Sequence, residues 1–228
     1  MPRPPFLVVA TALAMLSWLP PNCPAALVYA DSLSAGPAPA FTVSRGQWSF
    51  SGDGLANTAS GENRIFLDVL PDDTPAYEVS LTANLLTGSG WGLFFGAGLS
   101  ANAVSGYTFQ YDPGYGNGAY LLRRWQNDSE SVLRAITAPL THNCAHDFRF
   151  VIGPDSLEAY QDGVSVLSYS GNLAPAGDLL GFRTWSASRA VFTDLRVSTP
   201  GGGKEIPEPV AMLPLTAALV ALAGRRRR

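Results

Sequence analysis

The residues that most constrain this chain are the breaks between its apolar runs. In the stretch from Phe41 to Ser60, FTVSRGQWSFSGDGLANTAS, β-branched and aromatic residues alternate with polar ones, and the pattern stops at Gly46 and at Gly52-Asp53-Gly54. That is the signature of short antiparallel strands joined by tight turns. The rhythm continues through RIFLDVL, AYEVSLTANLL, GWGLFFGAGL, SGYTFQYD, GAYLLRRW, SVLRAIT, DFRFVIG, SLEAYQDG, VSVLSYSG, LLGFRTW and AVFTDLRVS. No window of comparable length repeats apolar residues at helical spacing. The 23 glycines and 18 prolines scatter between these runs instead of forming a low-complexity tract. An all-β domain of two packed antiparallel sheets, a sandwich or jelly roll, is therefore predicted.

The two ends read differently. Arg3 precedes an uncharged run from Phe6 to Leu19, Pro20-Pro21 breaks any helix, and small residues follow at Ala25, Ala26 and Ala30. This is the layout of a secretory signal peptide, assigned to residues 1–25. The residues before Cys23 lack the small side chains of a lipoprotein signal. Removing the leader leaves Cys144 as the only cysteine, so no intrachain disulfide is available. The globular domain is assigned to residues 26–199, long enough for a single hydrophobic core, and 200–206 to a linker.

The last segment, 207–228, has three parts. Pro207-Glu208-Pro209 is followed by an apolar stretch over 210–224, read as a short helix, and by Arg225, Arg226, Arg227 and Arg228. The fifteen apolar residues fall short of the roughly 20 that span a bilayer comfortably. The arginines favour the cytoplasmic side, leaving Pro-Glu-Pro at the outer surface. These residues resemble the PEP-CTERM family of exported proteins of Gram-negative bacteria, although Pro214 interrupts the apolar run. The resemblance implies recognition by an exosortase, at least transient residence in the inner membrane as a transmembrane helix, and a final place at the cell surface or in an extracellular matrix. It covers about the last tenth of the chain and concerns destination alone.

The domain itself, through DSLSAGPAPAFTVSRGQWSFSGDGL, GWGLFF, GYTFQYD, LEAYQDGVSVLS and AVFTDLRV, looks like the concanavalin-like, laminin-G-like jelly rolls of bacterial surface proteins. In such folds the first and last strands pair. ALVYADSL is thus expected beside AVFTDLRVS, which requires Val28 and Tyr29 in the mature chain and favours cleavage after Ala25 or Ala26 over Ala30. Laminin-G-like folds often bind calcium. Asp112 with Asn117 or Asp128 are the oxygen ligands this implies, and no other cofactor is expected.

Sixteen acidic residues against nine arginines between Ala26 and Gly203 leave a net charge of −7. A nucleic-acid partner is excluded by that balance, since phosphate binding needs a basic face. Arg123 and Arg124 point to opposite faces of a strand, and an arginine beside Trp125 suits a sugar or carboxylate. The loop Gln110–Gly118, QYDPGYGNG, joins aromatic faces to amide donors, as carbohydrate recognition requires. Tyr111, Tyr115, Asn117, Arg124 and Trp125 are the candidate glycan contacts, with a tight turn that binds nothing as the alternative.

No catalytic signature is present. Carboxylates suited to glycoside hydrolysis, Glu62, Glu78, Asp112, Glu130 and Glu158, carry no pattern that places two together. His142 and His146 flank Cys144 without a fourth metal ligand, and Asn127-Asp128-Ser129 reads as a turn. GYTFQYD is faintly similar to a strand of 3-keto-disaccharide hydrolases, and related jelly rolls include polysaccharide lyases; no catalytic residue follows from either. The sequence predicts an exported protein whose jelly roll binds exopolysaccharide or another glycan. The alternative is a glycan-cleaving enzyme (glycoside hydrolase, 3-keto-disaccharide hydrolase or lyase-like) on the same fold.

Overall fold

A computed structural model describes residues 25–36, 41–70, 76–101 and 103–199. The segments read as a leader (apart from Ala25), as the sorting tail with its apolar stretch, and as the linker at 200–206 lie outside the described residues. Within them no helix is long and apolar enough to cross a membrane.

Fifteen strands follow one another: β1 (Leu27–Asp31), β2 (Phe41–Arg45), β3 (Trp48–Ser51), β4 (Gly54–Asn57) and β5 (Asn63–Asp68). The long strands β6 (Tyr77–Thr87), β7 (Trp91–Ser100), β8 (Ala103–Asp112), β9 (Ala119–Gln126) and β10 (Ser129–Thr137) come next. The chain then runs through β11 (Ala145–Gly153), β12 (Ser156–Gln161), β13 (Val164–Ser170), β14 (Leu179–Thr184) and β15 (Arg189–Ser198). One sheet has the order β13-β12-β11-β6-β15-β4-β3, with β1 also on β15; the other runs β10-β9-β8-β7-β14-β5-β2. All pairings are antiparallel. The domain is the jelly-roll sandwich of two antiparallel sheets that the alternating runs predict.

The expected closure by first and last strands is present. Leu27 pairs with Ser198 and Asp31 with Leu195, and beyond the strand the Thr199 N–H donates to the Ala26 carbonyl at 3.0 Å. β4 takes the other half of the same edge of β15, through Val191 and Phe192. β1 and β4 thus share the side of β15 that faces away from β6.

The core between the sheets is aromatic. Trp91, fully buried, packs edge-on against Phe148 at 4.8 Å and Phe192 at 5.7 Å, each on the opposite sheet. It also meets Phe109 on its own sheet at 6.1 Å. Rings of this size bury about 150–250 Å² each, and truncating one costs about 3–5 kcal/mol. Cys144, among the described residues, is free and exposed, and packing of this kind holds the two sheets together.

Turn chemistry sets the register. β12 and β13 join through Asp162-Gly163, both at positive φ, the Asp-Gly pair that suits a type I′ hairpin. β9 and β10 join through Asn127-Asp128, with φ of 48° and 66°. Here an aspartate stands where glycine is usual, at a cost of about 1–2 kcal/mol in backbone strain. The turn read at Asn127–Ser129 is present, and what its aspartate does appears in the site.

Candidate functional site

The sheet containing β7, β8 and β14 is buried on both faces. Trp91, Leu93, Phe109, Leu180 and Phe182 point into the sandwich, while Phe66, Phe94, Ala97, Val104 and Trp125 form a separate apolar cluster on the outer face. Charged groups are embedded in that outer layer. Arg64 and Arg183 side chains are 4% and 8% exposed, and Gln110 is buried beside them.

Strand register explains how they meet. Arg183 on β14 pairs with Arg64 on β5 on one side and with Gly92 on β7 on the other; Gly92 in turn pairs with Gln110 on β8. A side chain at position 92 would press on Gln110, its Cβ meeting the Gln110 Cβ at 3.1 Å. The bare glycine lets the Arg183 side chain cross β7. Its Nη1 donates to Gln110 Oε1 at 2.9 Å and to Glu130 Oε2 on β10 at 3.0 Å. In the other direction Arg183 Nε donates to Glu62 Oε1 at 2.8 Å.

Two like charges side by side on neighbouring strands are destabilising unless bridged, and Glu62 is the bridge. Its Oε1 accepts from Arg64 Nε at 2.7 Å as well as from Arg183. Arg64 Nη1 also donates to Asp128 Oδ1 at 2.6 Å, and Arg45 Nη2 reaches Asp128 Oδ2 at 2.7 Å. Burial alone would raise the Asp128 carboxyl, but the Val104 N–H, Arg64 and Arg45 outweigh it and hold the group below the ordinary carboxylate range. On the far flank Arg123 Nη1 is ion-paired with Glu130 Oε1 at 3.0 Å, and its Nη2 lies 3.8 Å from Asp112.

Aromatic rings complete the arrangement. The Arg183 guanidinium carbon lies 4.6 Å from the ring centroids of both Trp125 and Trp185, and Arg64 lies 4.8 Å from Trp125. Trp125 is buried, with Nε1 donating to Thr108 Oγ1 at 3.0 Å. Trp185 is only partly covered. It rests against Gly90, whose φ is +125°; a Cβ there would come within 2.8 Å of the indole.

The sequence candidates are dispersed by this geometry. Tyr111 is a core residue: Tyr107, Phe109 and Tyr111 face inward and Thr108, Gln110 and Asp112 outward, because Gln110–Asp112 end β8 instead of starting a loop. The Tyr111 hydroxyl accepts the Leu140 N–H at 3.0 Å. Trp125 lies on the outer face, beneath arginines instead of open to a ligand. Arg124, one residue earlier, faces the other side, opposite Tyr107. Tyr115 and Asn117 are exposed in the β8–β9 turn. Of the calcium candidates, Asp112 and Asn117 stay at the β8–β9 turn, and Asp128 is apart from them. Asp112 and Asp128 sit at opposite ends of the β8–β9 hairpin, eight residues of strand apart along β8, or about 25 Å. Asp128 is taken by two arginines, and Asp112 Oδ1 accepts the Gly114 N–H at 2.8 Å. Among the described residues no group of three or more His, Cys, Asp or Glu is placed to hold a metal.

Of the five candidate carboxylates, Glu62 and Glu130 are brought together on Arg183, with Asp112 at the rim. Glu78 and Glu158 belong to the other sheet, bonded to Arg149 at 2.9 Å and Tyr160 at 2.9 Å. Arg64, Arg183 and Trp185 carry no mark in the local sequence, beyond an arginine inside the apolar run LLGFRTW. The outer face of the other sheet holds a shallow cavity of about 300 Å³ lined by Thr82, Asn84, Leu86, Val191 and Thr193. It offers no aromatic ring and, with Asp53 at its edge, a single charge.

No protein-family model matches the chain, and no curated protein matches it in sequence. Solved structures do match. The carbohydrate-binding module CBM66 from Bacillus subtilis superposes with a TM-score of 0.60 at 16% identity, covering 73% of this chain and 98% of that one. The carbohydrate recognition domain of Emp47p gives 0.61 at 11% identity, covering 76% and 97%. The exoplasmic domain of VIP36 in its Ca2+/Man3GlcNAc-bound form gives 0.62 at 10%, covering 77% and 90%. At these identities the likeness is one of fold, a galectin-like or concanavalin-like jelly roll.

Proposed function

We propose that this domain binds a glycan on the outer face of the β7–β8–β14 sheet. The observation that carries the reading is the Arg183 network: a guanidinium between Glu62 and Glu130, with Gln110 below and the partly open Trp185 ring beside it. Sugars present hydroxyls in a fixed plane and apolar C–H faces, and are matched by planar charged groups held rigid next to an aromatic surface. Burying such a network is neutral or costly compared with apolar packing of the same volume. Its presence on an otherwise apolar face points to a role in recognition. The carbohydrate-binding neighbours among solved structures support the same reading.

The two glutamates share Arg183 between them, instead of facing each other across a cleft as the carboxylates of a glycosidase do. Binding without cleavage is therefore the reading adopted. Delivery belongs to the same proposal. The leader over 1–25 and the tail over 207–228, through Pro207-Glu208-Pro209 and Arg225–Arg228, support export, processing by an exosortase and residence at the cell surface, with an extracellular polysaccharide as partner. The full chain incubated with the producing organism's extracellular polysaccharide tests both activities. Retention on the polymer without new reducing ends, weakened about tenfold or more by Trp185→Ala, is the expected result. Release of reducing ends would establish the enzyme, and absence of retention would remove the binding reading.

A further inference from the structure

The depth at which each charge sits defines what the face offers a ligand. The guanidinium groups lie low: Arg64, Arg183 and Arg123 side chains are 4%, 8% and 13% exposed. The carboxylates lie above them, with Glu62 at 23%, Asp128 at 25% and Glu130 at 31%. Around Glu62 and Glu130 the arginines are thus more deeply covered than the carboxylates, whereas Arg45, at the Asp128 edge, is 46% exposed. Arg183 places Nε on Glu62 and Nη1 on Gln110 and Glu130, and Nη2 reaches Glu62 again at 3.3 Å.

A carboxylate offers about four lone-pair positions. Glu62 receives two hydrogen bonds at Oε1 and one at Oε2, and Glu130 receives one at Oε2, with Arg123 ion-paired near Oε1. About four acceptor positions therefore remain on this pair, held in place by the arginines beneath and close to the Trp185 ring. A ligand that fits this pair must bring hydrogen-bond donors and no negative charge, because an incoming carboxylate or sulfate would meet the partly exposed glutamates before it met Arg64 or Arg183. The domain's net charge of −7 acts in the same direction at longer range.

We infer that the ligand is a neutral polysaccharide, whose adjacent ring hydroxyls donate to Glu62 and Glu130, and that uronate-containing and sulfated polymers are rejected. This rests on the glycan-binding reading above and selects within it.

The test uses the full chain in mild detergent, with affinity electrophoresis through neutral polymers (mannan, dextran, levan, galactan) and acidic ones (alginate, polygalacturonate). Wild type, Glu130→Gln and Glu62→Gln are compared, each checked for an unchanged unfolding midpoint. The inference expects retention by at least one neutral polymer, little change between 50 and 500 mM NaCl, and a loss of about tenfold in affinity for Glu130→Gln, as when one charge-assisted hydrogen bond is weakened. Glu130 is exposed at its strand, so its glutamine variant keeps the comparison usable if Glu62→Gln unfolds. Retention by alginate or polygalacturonate that falls with salt and rises in the glutamine variants would overturn the neutral class while leaving a glycan-binding domain. Neutral binding untouched by both variants would overturn the assignment to these glutamates. Retention by none of the six polymers would overturn the inference and the underlying reading together.

Discussion

Arg149 with Glu78 and Arg183 with Glu62 are ion pairs of nearly the same length, 2.9 and 2.8 Å, on the outer faces of the two sheets. Their settings differ. Arg149 is 46% exposed over a face where Glu78, Ser80, Thr82 and Asn84 alternate with buried neighbours, the ordinary habit of an antiparallel sheet with one wet side. Arg183 is 8% exposed in a sheet whose central strands are covered on both sides. The first pair decorates a surface and is screened by water. The second has given up its hydration and depends on every partner it retains. Distance alone does not distinguish them; burial does.

That contrast is broken most sharply by Arg183→Met. It leaves Glu62, Glu130 and Gln110 without their common donor, and urea unfolding is expected to show a loss of about 3–5 kcal/mol. Gly90→Ala comes next. It sets a Cβ against the Tyr111 carbonyl and the Trp185 ring at a φ that only glycine adopts readily. It should cost about 1–3 kcal/mol and weaken polysaccharide retention with it, since the exposed ring is displaced.

Asp128→Asn tests the charge at the site's edge. Asp128 has a lowered folded-state pKa. Its contribution is fully present above the unfolded value of about 3.9 and is lost as pH falls through the lower folded value. Above about pH 4 the variant is expected to be less stable by about 1–2 kcal/mol. The gap should close on acidification, which urea midpoints measured across the acid range will show. The smallest effect belongs to Arg149→Met, about 0.2–1 kcal/mol and screened by salt. A loss as large as that of Arg183→Met would show that the two faces are not energetically distinct.

The fold was legible because its signals are local. Alternation in AYEVSLTANLL reports one buried side, and Asp162-Gly163 reports a hairpin. GLFFGAGL, without alternation, belongs to β7, which is covered on both faces. The site was less legible because its parts come from distant segments. Arg64 and Arg183 are neighbours only through the β5–β14 pairing, and Glu62 bridges them from a turn. The expected patch failed on parity. Reading Gln110–Asp112 as loop hid the alternation that turns Tyr111 inward, and Trp125, expected at the surface, is the floor beneath the arginines.

The antiparallel closure of β1 on β15 has a mechanical consequence. Leu27 and Ser198 lie side by side, so tension between the two ends of the domain peels the β1–β15 ladder one hydrogen-bonded pair at a time, the weak direction of such a ladder. Tension that enters at Ser198 and leaves through a ligand on the opposite sheet instead loads β15 along its length. There β6 flanks it on one side and β1 with β4 on the other, and their hydrogen bonds resist sliding together. A domain held at its C-terminal end while gripping a polymer would be pulled along its strong axis, and its lifetime under load would follow the unfolding rate of the whole sheet.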